Sequence, residues 1–170
     1  RSKDRLERER KKLADAFSGD KVNGIPCDVS DISQVRALWK GAKKAFGSID
    51  IWINNAGIMN TTKPYWELDV AEITPVVNTN ILGVMYGSHV ALQGMIAQGH
   101  GQIYNLEGMG SNDNMRKGFT VYGTTKRAVR YFTESLVQEA EGTPVQIGTI
   151  GPGIVMTDFL IENMKKMPPE

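Results

Sequence analysis

The chain has 170 residues, enough for one domain with its own core and too few for two. Hydrophobic residues make up 41% and charged residues 23%, an ordinary globular balance, and a formal net charge of +1 gives no basis for binding nucleic acid or an anionic membrane. Cys27 is the one cysteine, which excludes an internal disulfide and fits a reducing compartment, and no apolar run approaches the roughly 20 residues that span a bilayer.

Residues 3–17 predict an amphipathic helix with Leu6, Leu13 and Phe17 on one stripe. The mixed charges between Arg1 and Lys12, with Asp4, Glu7 and Glu9 among them, read as its solvated face. Val22–Cys27 reads as a short strand ended by Asp28 and Ser30. Asp31 is a suitable N-cap for a second helix through Phe46, with Val35, Leu38, Trp39 and Ala42 inward and Gly47 as its stop. Ile49–Ile53 is a compact apolar run of the kind found in buried parallel strands. A long helix is expected from Glu72 or Pro75 to Gln98, then a strand at Gln102–Leu106, a helix at Tyr122–Ala140 and a strand at Val145–Ile150. Strands and helices alternating at this spacing predict a single domain with a doubly wound α/β sheet of the Rossmann type.

The chemistry concentrates in Tyr122-Gly-Thr-Thr-Lys126. Residues four apart share a helix face, so phenol and ammonium project into one space. A free tyrosine titrates near ~10, and a neighbouring cation lowers that toward the working range. Alone, such a pair is more often surface packing. Here Asn54-Asn55-Ala56-Gly57 follows a strand at the edge where doubly wound sheets bind ligands, and small residues there admit close approach. Asn80-Ile-Leu-Gly83 sets an amide inside an apolar helix, where it is a structural hydrogen-bonding group or a site residue. Pro152-Gly153, with Thr157 downstream, makes a turn after the last strand. His89 and His100 are too scattered for a metal site.

Cys27-Asp28-Val29, Asn54–Gly57, Asn80–Gly83, Tyr122–Lys126 and Pro152–Thr157, in this order, resemble the short-chain dehydrogenase/reductase family over essentially the whole chain. The resemblance implies hydride transfer between a nicotinamide cofactor and a carbonyl or alcohol. It makes Tyr122 the general acid/base and Lys126 the group that lowers its pKa and binds the nicotinamide ribose. Asn80 holds a water that relays protons. Asp28 and Val29 contact adenine, and Asn55, Ala56 and Gly57 the adenosine side. Pro152, Gly153, Val155 and Thr157 line the nicotinamide and phosphates. Arg1, where the family's second strand ends, suits the 2′-phosphate of NADP(H) over NAD(H). Tyr131 and Phe132 lie where members pair helices, which implies a homo-oligomer.

Two departures follow. The family's substrate-binding serine aligns with Gly108 in Asn105-Leu-Glu-Gly-Met-Gly-Ser111, leaving Ser111 as the nearest hydroxyl. Losing one oxyanion donor typically costs ~2.7–4 kcal/mol. Gly108 therefore favours a non-catalytic binding module, while Tyr122, Lys126 and Asn80 favour an enzyme; an epimerase or dehydratase is a third reading. Second, the family's first strand with its Thr-Gly-x-x-x-Gly-x-Gly turn, its first helix and second strand, and its last strand have no counterpart in these 170 residues. The family's strand order implies that Val22–Cys27 is then detached and Ile49–Ile53 is an open edge, a fragment expected neither to fold stably nor to hold cofactor alone. The segment Asn105–Ser111 also resembles the subgroup of chlorophyll b reductases, which implies a formyl group on a large apolar ring as substrate. The compartment stays open: cytoplasm, or plastid if a transit peptide precedes Arg1.

Overall fold

The structure is a computed structural model that describes residues 3–17, 22–153, 155 and 161. Helix α1 spans Lys3–Ala16 and α2 Ile32–Phe46. The Asp31 carboxylate accepts from Ser33 N, and Gly47, at φ 81°, closes α2 by donating to Lys43 O. Strand β1 is Ile51–Asn54, β2 Gly101–Leu106 and β3 Val145–Ile150. They form a parallel sheet in the order β1-β2-β3, with Asn54 level with Asn105 and Leu106 level with Ile150.

Between β1 and β2 the chain is one long helical run: α3 over Val70–Val77, a single π turn over Asn78–Leu82, and α4 over Gly83–Gln98. Pro75 supplies no N–H to the run, and Asn78 N bonds to both Thr74 O and Pro75 O just before the wider turn. Within that turn Gly83 N reaches back to Asn78 O. Helix α5, Thr120–Glu139, connects β2 to β3.

The core lies on one face of the sheet. Ala91 and Met95 of α4 meet Ile103 and Val145, with Trp39, Trp52, Leu92 and Ile147 around them. Trp39 of α2 and Trp52 of β1 stack at 5.7 Å.

Val22–Cys27 and Ile49–Ile53 lie as the family's strand order implies, the first detached and the second at an open edge, and the simpler readings of a paired strand and a buried strand are corrected. Val22–Cys27 forms no ladder. Leu6 of α1 lies over Gly24 and Ile25 reaches Gly41 of α2. A strand needs a partner about 4.8 Å away, and β1 pairs only with β2 among the described residues. Ile49–Ile53 is not fully buried: Ile51 and Ile53 point to the opposite face and are 55% and 51% exposed, because β1 is an edge of this sheet.

Hydrogen bonds from the Ser33 and Gln34 side chains hold the Asp31 carboxyl at about 2, below its ordinary 3.8. A depressed carboxyl contributes stability above its unfolded pKa and loses it as pH falls toward the folded value. Asp31→Asn is therefore expected to flatten the pH dependence of the urea midpoint between about pH 4 and about pH 2. An unchanged slope in that window contradicts the cap.

Candidate active site

A polar seam beneath the carboxyl ends of the strands supports the site. Asn54 Nδ2 donates to Asn105 Oδ1 at 2.7 Å and to Ser88 Oγ at 3.0 Å. Ser88 Oγ donates to Asn105 Oδ1 at 3.2 Å, and Trp52 Nε1 donates to Asn54 Oδ1 at 2.9 Å. Asn105 Nδ2 continues to Thr133 Oγ1 on α5 at 2.9 Å, and Thr133 donates onward to Val129 O. Each buried polar group is thereby partnered. Gly87 has no side chain, which gives the Asn54 amide its room against α4.

Above the seam, the N-terminal turns of α5 carry Tyr122, Thr125 and Lys126 on one face. Lys126 is 5% exposed, and its Nζ donates to Leu106 O at 2.9 Å. The ammonium stands 5.8 Å from the centre of the Tyr122 ring. Burial pushes the Tyr122 phenol up from its ordinary value, the opposite of the lowering expected from Lys126, because loss of hydration disfavours the phenolate. Burial also pushes the Lys126 ammonium down, opposed by the charge of Glu107.

Asn80 lies in the π turn, fully buried, a helix irregularity that recurs at functional sites. Its Oδ1 accepts from Ile58 N at 2.9 Å, and its Nδ2 donates to Ile58 O at 2.8 Å and to Thr125 Oγ1 at 3.0 Å. Thr125 in turn donates to Tyr122 O at 2.7 Å. Asn80 thus ties the segment after β1 to the helix that bears the pair. Thr125 escaped the sequence reading, although its spacing of three from Tyr122 was the signal.

Gly108 stands against the phenol. A Cβ there would lie 2.5 Å from Tyr122 Oη and 3.2 Å from Lys126 Cγ and Cε. Ser111 is buried, and Arg127 Nη1 donates to its carbonyl at 2.9 Å. Its loop is drawn onto α5 at Gly110, whose φ of 99° and contact with the Gly123 backbone leave no room for a side chain. No hydrogen bond joins Ser111 to Tyr122 among the described residues.

At the cofactor edge, Asn55 and Ala56 are exposed beyond β1. A Cβ on Gly57 would stand 3.5 Å from Asn80 Oδ1 and 3.9 Å from Lys126 Nζ, so the glycine keeps clear the space beside amide and ammonium. The Lys126 ammonium beside it has hydrogens beyond the one given to Leu106 O, which suits it to a hydroxyl-bearing ligand such as a ribose. The Asp28 carboxylate accepts from Ser30 N and Ser30 Oγ, and Val29 lies against Gly83. Pro152, Gly153 and Val155 are exposed past β3. Arg1 and Thr157 lie outside the described residues. Among the described residues no His/Cys/Asp/Glu group is placed to hold a metal ion, and no helix is long and apolar enough to cross a membrane.

A parallel Rossmann-type sheet with a Tyr-Lys pair at its carboxyl edge defines a class, and comparison with known proteins agrees. The short chain dehydrogenase model matches residues 1–168, so the chain belongs to that family of oxidoreductases. Over 156 residues it is 40% identical to the probable chlorophyll(ide) b reductase of Arabidopsis thaliana, a chloroplastic protein; the match takes in 91% of this chain and 31% of that relative. The levodione reductase crystal structure is 29% identical with a TM-score of 0.90, over 97% of this chain and 64% of that one. Serine dehydrogenase complexed with NADP+ is 28% identical with a TM-score of 0.86, over 98% of this chain and 65% of that one. The chain thus spans less than a third of the plant relative and about two thirds of the two solved structures.

Asn105→Ala takes the acceptor from the buried Ser88 hydroxyl and one of two partners each from the Asn54 amide and the Thr133 hydroxyl. The expected loss is about 1–3 kcal/mol in denaturant unfolding. A variant that unfolds at the native midpoint removes the seam from the support of the site.

Proposed function

We propose that this chain carries the catalytic face of an NADPH-dependent carbonyl reductase. The observation that supports this most is the pairing of Tyr122 with a buried Lys126 at the carboxyl edge of a parallel sheet, with the phenol held protonated by burial. A phenol that keeps its proton at neutral pH is suited to give it away. In reduction, Tyr122 Oη protonates the carbonyl oxygen while hydride adds to the carbonyl carbon, which yields an alcohol and a tyrosinate. Lys126, one helical turn away, stabilises that tyrosinate by its charge. Asn80 holds Ile58 and Thr125 in place, and with them the gap beside Lys126; the water it is assigned in a proton relay belongs to this reading. Ser111 is the hydroxyl assigned to the substrate oxygen.

The nicotinamide, when bound, supplies the hydride. Asp28 and Val29 are the proposed contacts of the adenine, Asn55, Ala56 and Gly57 those of the adenosine side, and Pro152, Gly153, Val155 and Thr157 those of the nicotinamide and phosphates. Arg1 is the residue that favours the 2′-phosphate of NADP(H), in keeping with the NADP+ complex of serine dehydrogenase. The substrate class we favour is an aldehyde or ketone on a large apolar ring, supported by the 40% identity to the plant chlorophyll(ide) b reductase. Tyr131, 74% exposed on α5, is the proposed contact in a homo-oligomer.

The competing reading is a non-catalytic module, and Gly108 is what favours it. Tyr122→Phe separates the two. With NADPH and a panel of ring-borne aldehydes, turnover is expected to fall at least about 100-fold while NADPH binding persists; undiminished turnover sinks the acid role. Ser111→Ala should lower kcat by ~10²–10³-fold if its hydroxyl is the oxyanion donor. Because a Cβ at 108 crowds Tyr122 Oη, Gly108→Ser is expected to reduce turnover. A gain would assign the donor position to 108 and not to 111.

A further inference from the structure

Helix α5 presents three successive cationic positions near the site, and they are neutralised differently. Arg127 Nη1 lies 3.2 Å from Asp113 Oδ1, and Arg130 Nε lies 2.9 Å from Glu134 Oε1. Lys126 is the buried one, and its hydrogen bond goes to an uncharged carbonyl, Leu106 O. An ammonium removed from water needs a counter-charge, or it gives up its proton.

Glu107 follows that carbonyl directly. Its N donates to Ile150 O at 2.9 Å, so the parallel ladder runs one residue beyond β2. In the two-residue repeat of a strand, Glu107 extends the row of Ile103 and Asn105 that faces the helices. One step back on this row, Asn105 donates to Thr133 of α5. One step forward, the antiparallel helix has risen a turn to Arg130 and then to Lys126. On the far side of Glu107, the Gly108 backbone lies against the Lys126 stem. Glu107 is half-buried, and its carboxylate makes no hydrogen bond or ion pair with the described residues.

We propose that Glu107 is a positioning residue for Lys126: its carboxylate is the counter-charge that keeps the buried ammonium charged and drawn to the Leu106 carbonyl. Two electrostatic effects agree. The charge of Glu107 opposes the fall that burial imposes on Lys126, and it adds to the rise that the Glu134 hydrogen bond gives Arg130. The other groups facing Lys126 are the Tyr122 phenol on its own helix, Asn80 of the π turn and Gly57 after β1, all uncharged near neutral pH, with Arg130 one turn further along. The consequence for turnover rests on the Tyr122–Lys126 mechanism proposed above; the titration itself does not.

The test is the titration of Lys126 in protein labelled with 13C-lysine, its signal identified by its loss in Lys126→Met. In Glu107→Gln the midpoint is expected to fall by about one pH unit. A midpoint equal to that of the unsubstituted protein overturns the proposal. If Glu107→Gln does not fold by circular dichroism, Glu107→Asp, which draws the carboxylate back by one methylene, is read in the same way: a lowered midpoint supports the role and an unchanged one ends it. A lowered midpoint in protein that turns over no carbonyl leaves this assignment standing and defeats the catalytic reading. Turnover abolished by Tyr122→Phe, with no shift in Glu107→Gln, does the reverse.

Discussion

The Asn105 side chain of β2 reaches three neighbouring elements, and the geometry above it depends on that reach. Its carbonyl oxygen takes hydrogens from Asn54 of β1 and Ser88 of α4, while its amide gives one to Thr133 of α5. Backbone ladders set the spacing of strands, but they say nothing about where a helix sits along them. A buried hydrogen bond does, because sliding the helix by one turn would leave amide and hydroxyl unpartnered in a dry interior. The register of α5 against β2 is set in this way, and that register places Lys126 at the Leu106 carbonyl.

Burial then decides the electrostatics of the pair. Tyr122 and Lys126 are both pushed toward their neutral forms, the phenol upward and the ammonium downward. A protonated phenol is the resting form that a reductase needs. A neutral lysine is not, since only its charge stabilises the tyrosinate once the proton has left. The proposed reaction therefore calls for an anion close to Lys126 that does not itself approach the phenol, and Glu107, next to the Leu106 carbonyl, is the residue proposed for it. Gly108 contributes differently: by carrying no side chain it lets the phenol lie against the end of β2.

Helices were the most legible part of the fold. The Asp31 cap, the Gly47 stop and the inward stripe of α2 depend on residues within a few positions of one another, so local sequence carries them. The same holds for the Tyr122–Lys126 spacing. Val22–Cys27 has the composition of a strand, but composition cannot provide a partner, and the segment lies between α1 and α2 without a ladder. Ile51 and Ile53 have the apolar character of a core strand, yet an edge position leaves them exposed. Asn80 was legible as a polar group in an apolar helix. Its anchoring of Ile58 and Thr125 was not, because those partners lie 22 and 45 residues away.

From sequence alone, this protein's family, its alternation of strand and helix and the shared helix face of Tyr122 and Lys126 are determined, because each rests on a short pattern of residue types with its own local physics. Only the tertiary structure decided which strands pair, which apolar residues find cover and which charged groups face one another. Glu107 shows the difference. In the sequence it is one acidic residue in a loop-like stretch; in the fold it follows the carbonyl that accepts from a buried lysine 19 positions further along the chain. Its effect comes from distance and low dielectric, and both belong to the folded chain.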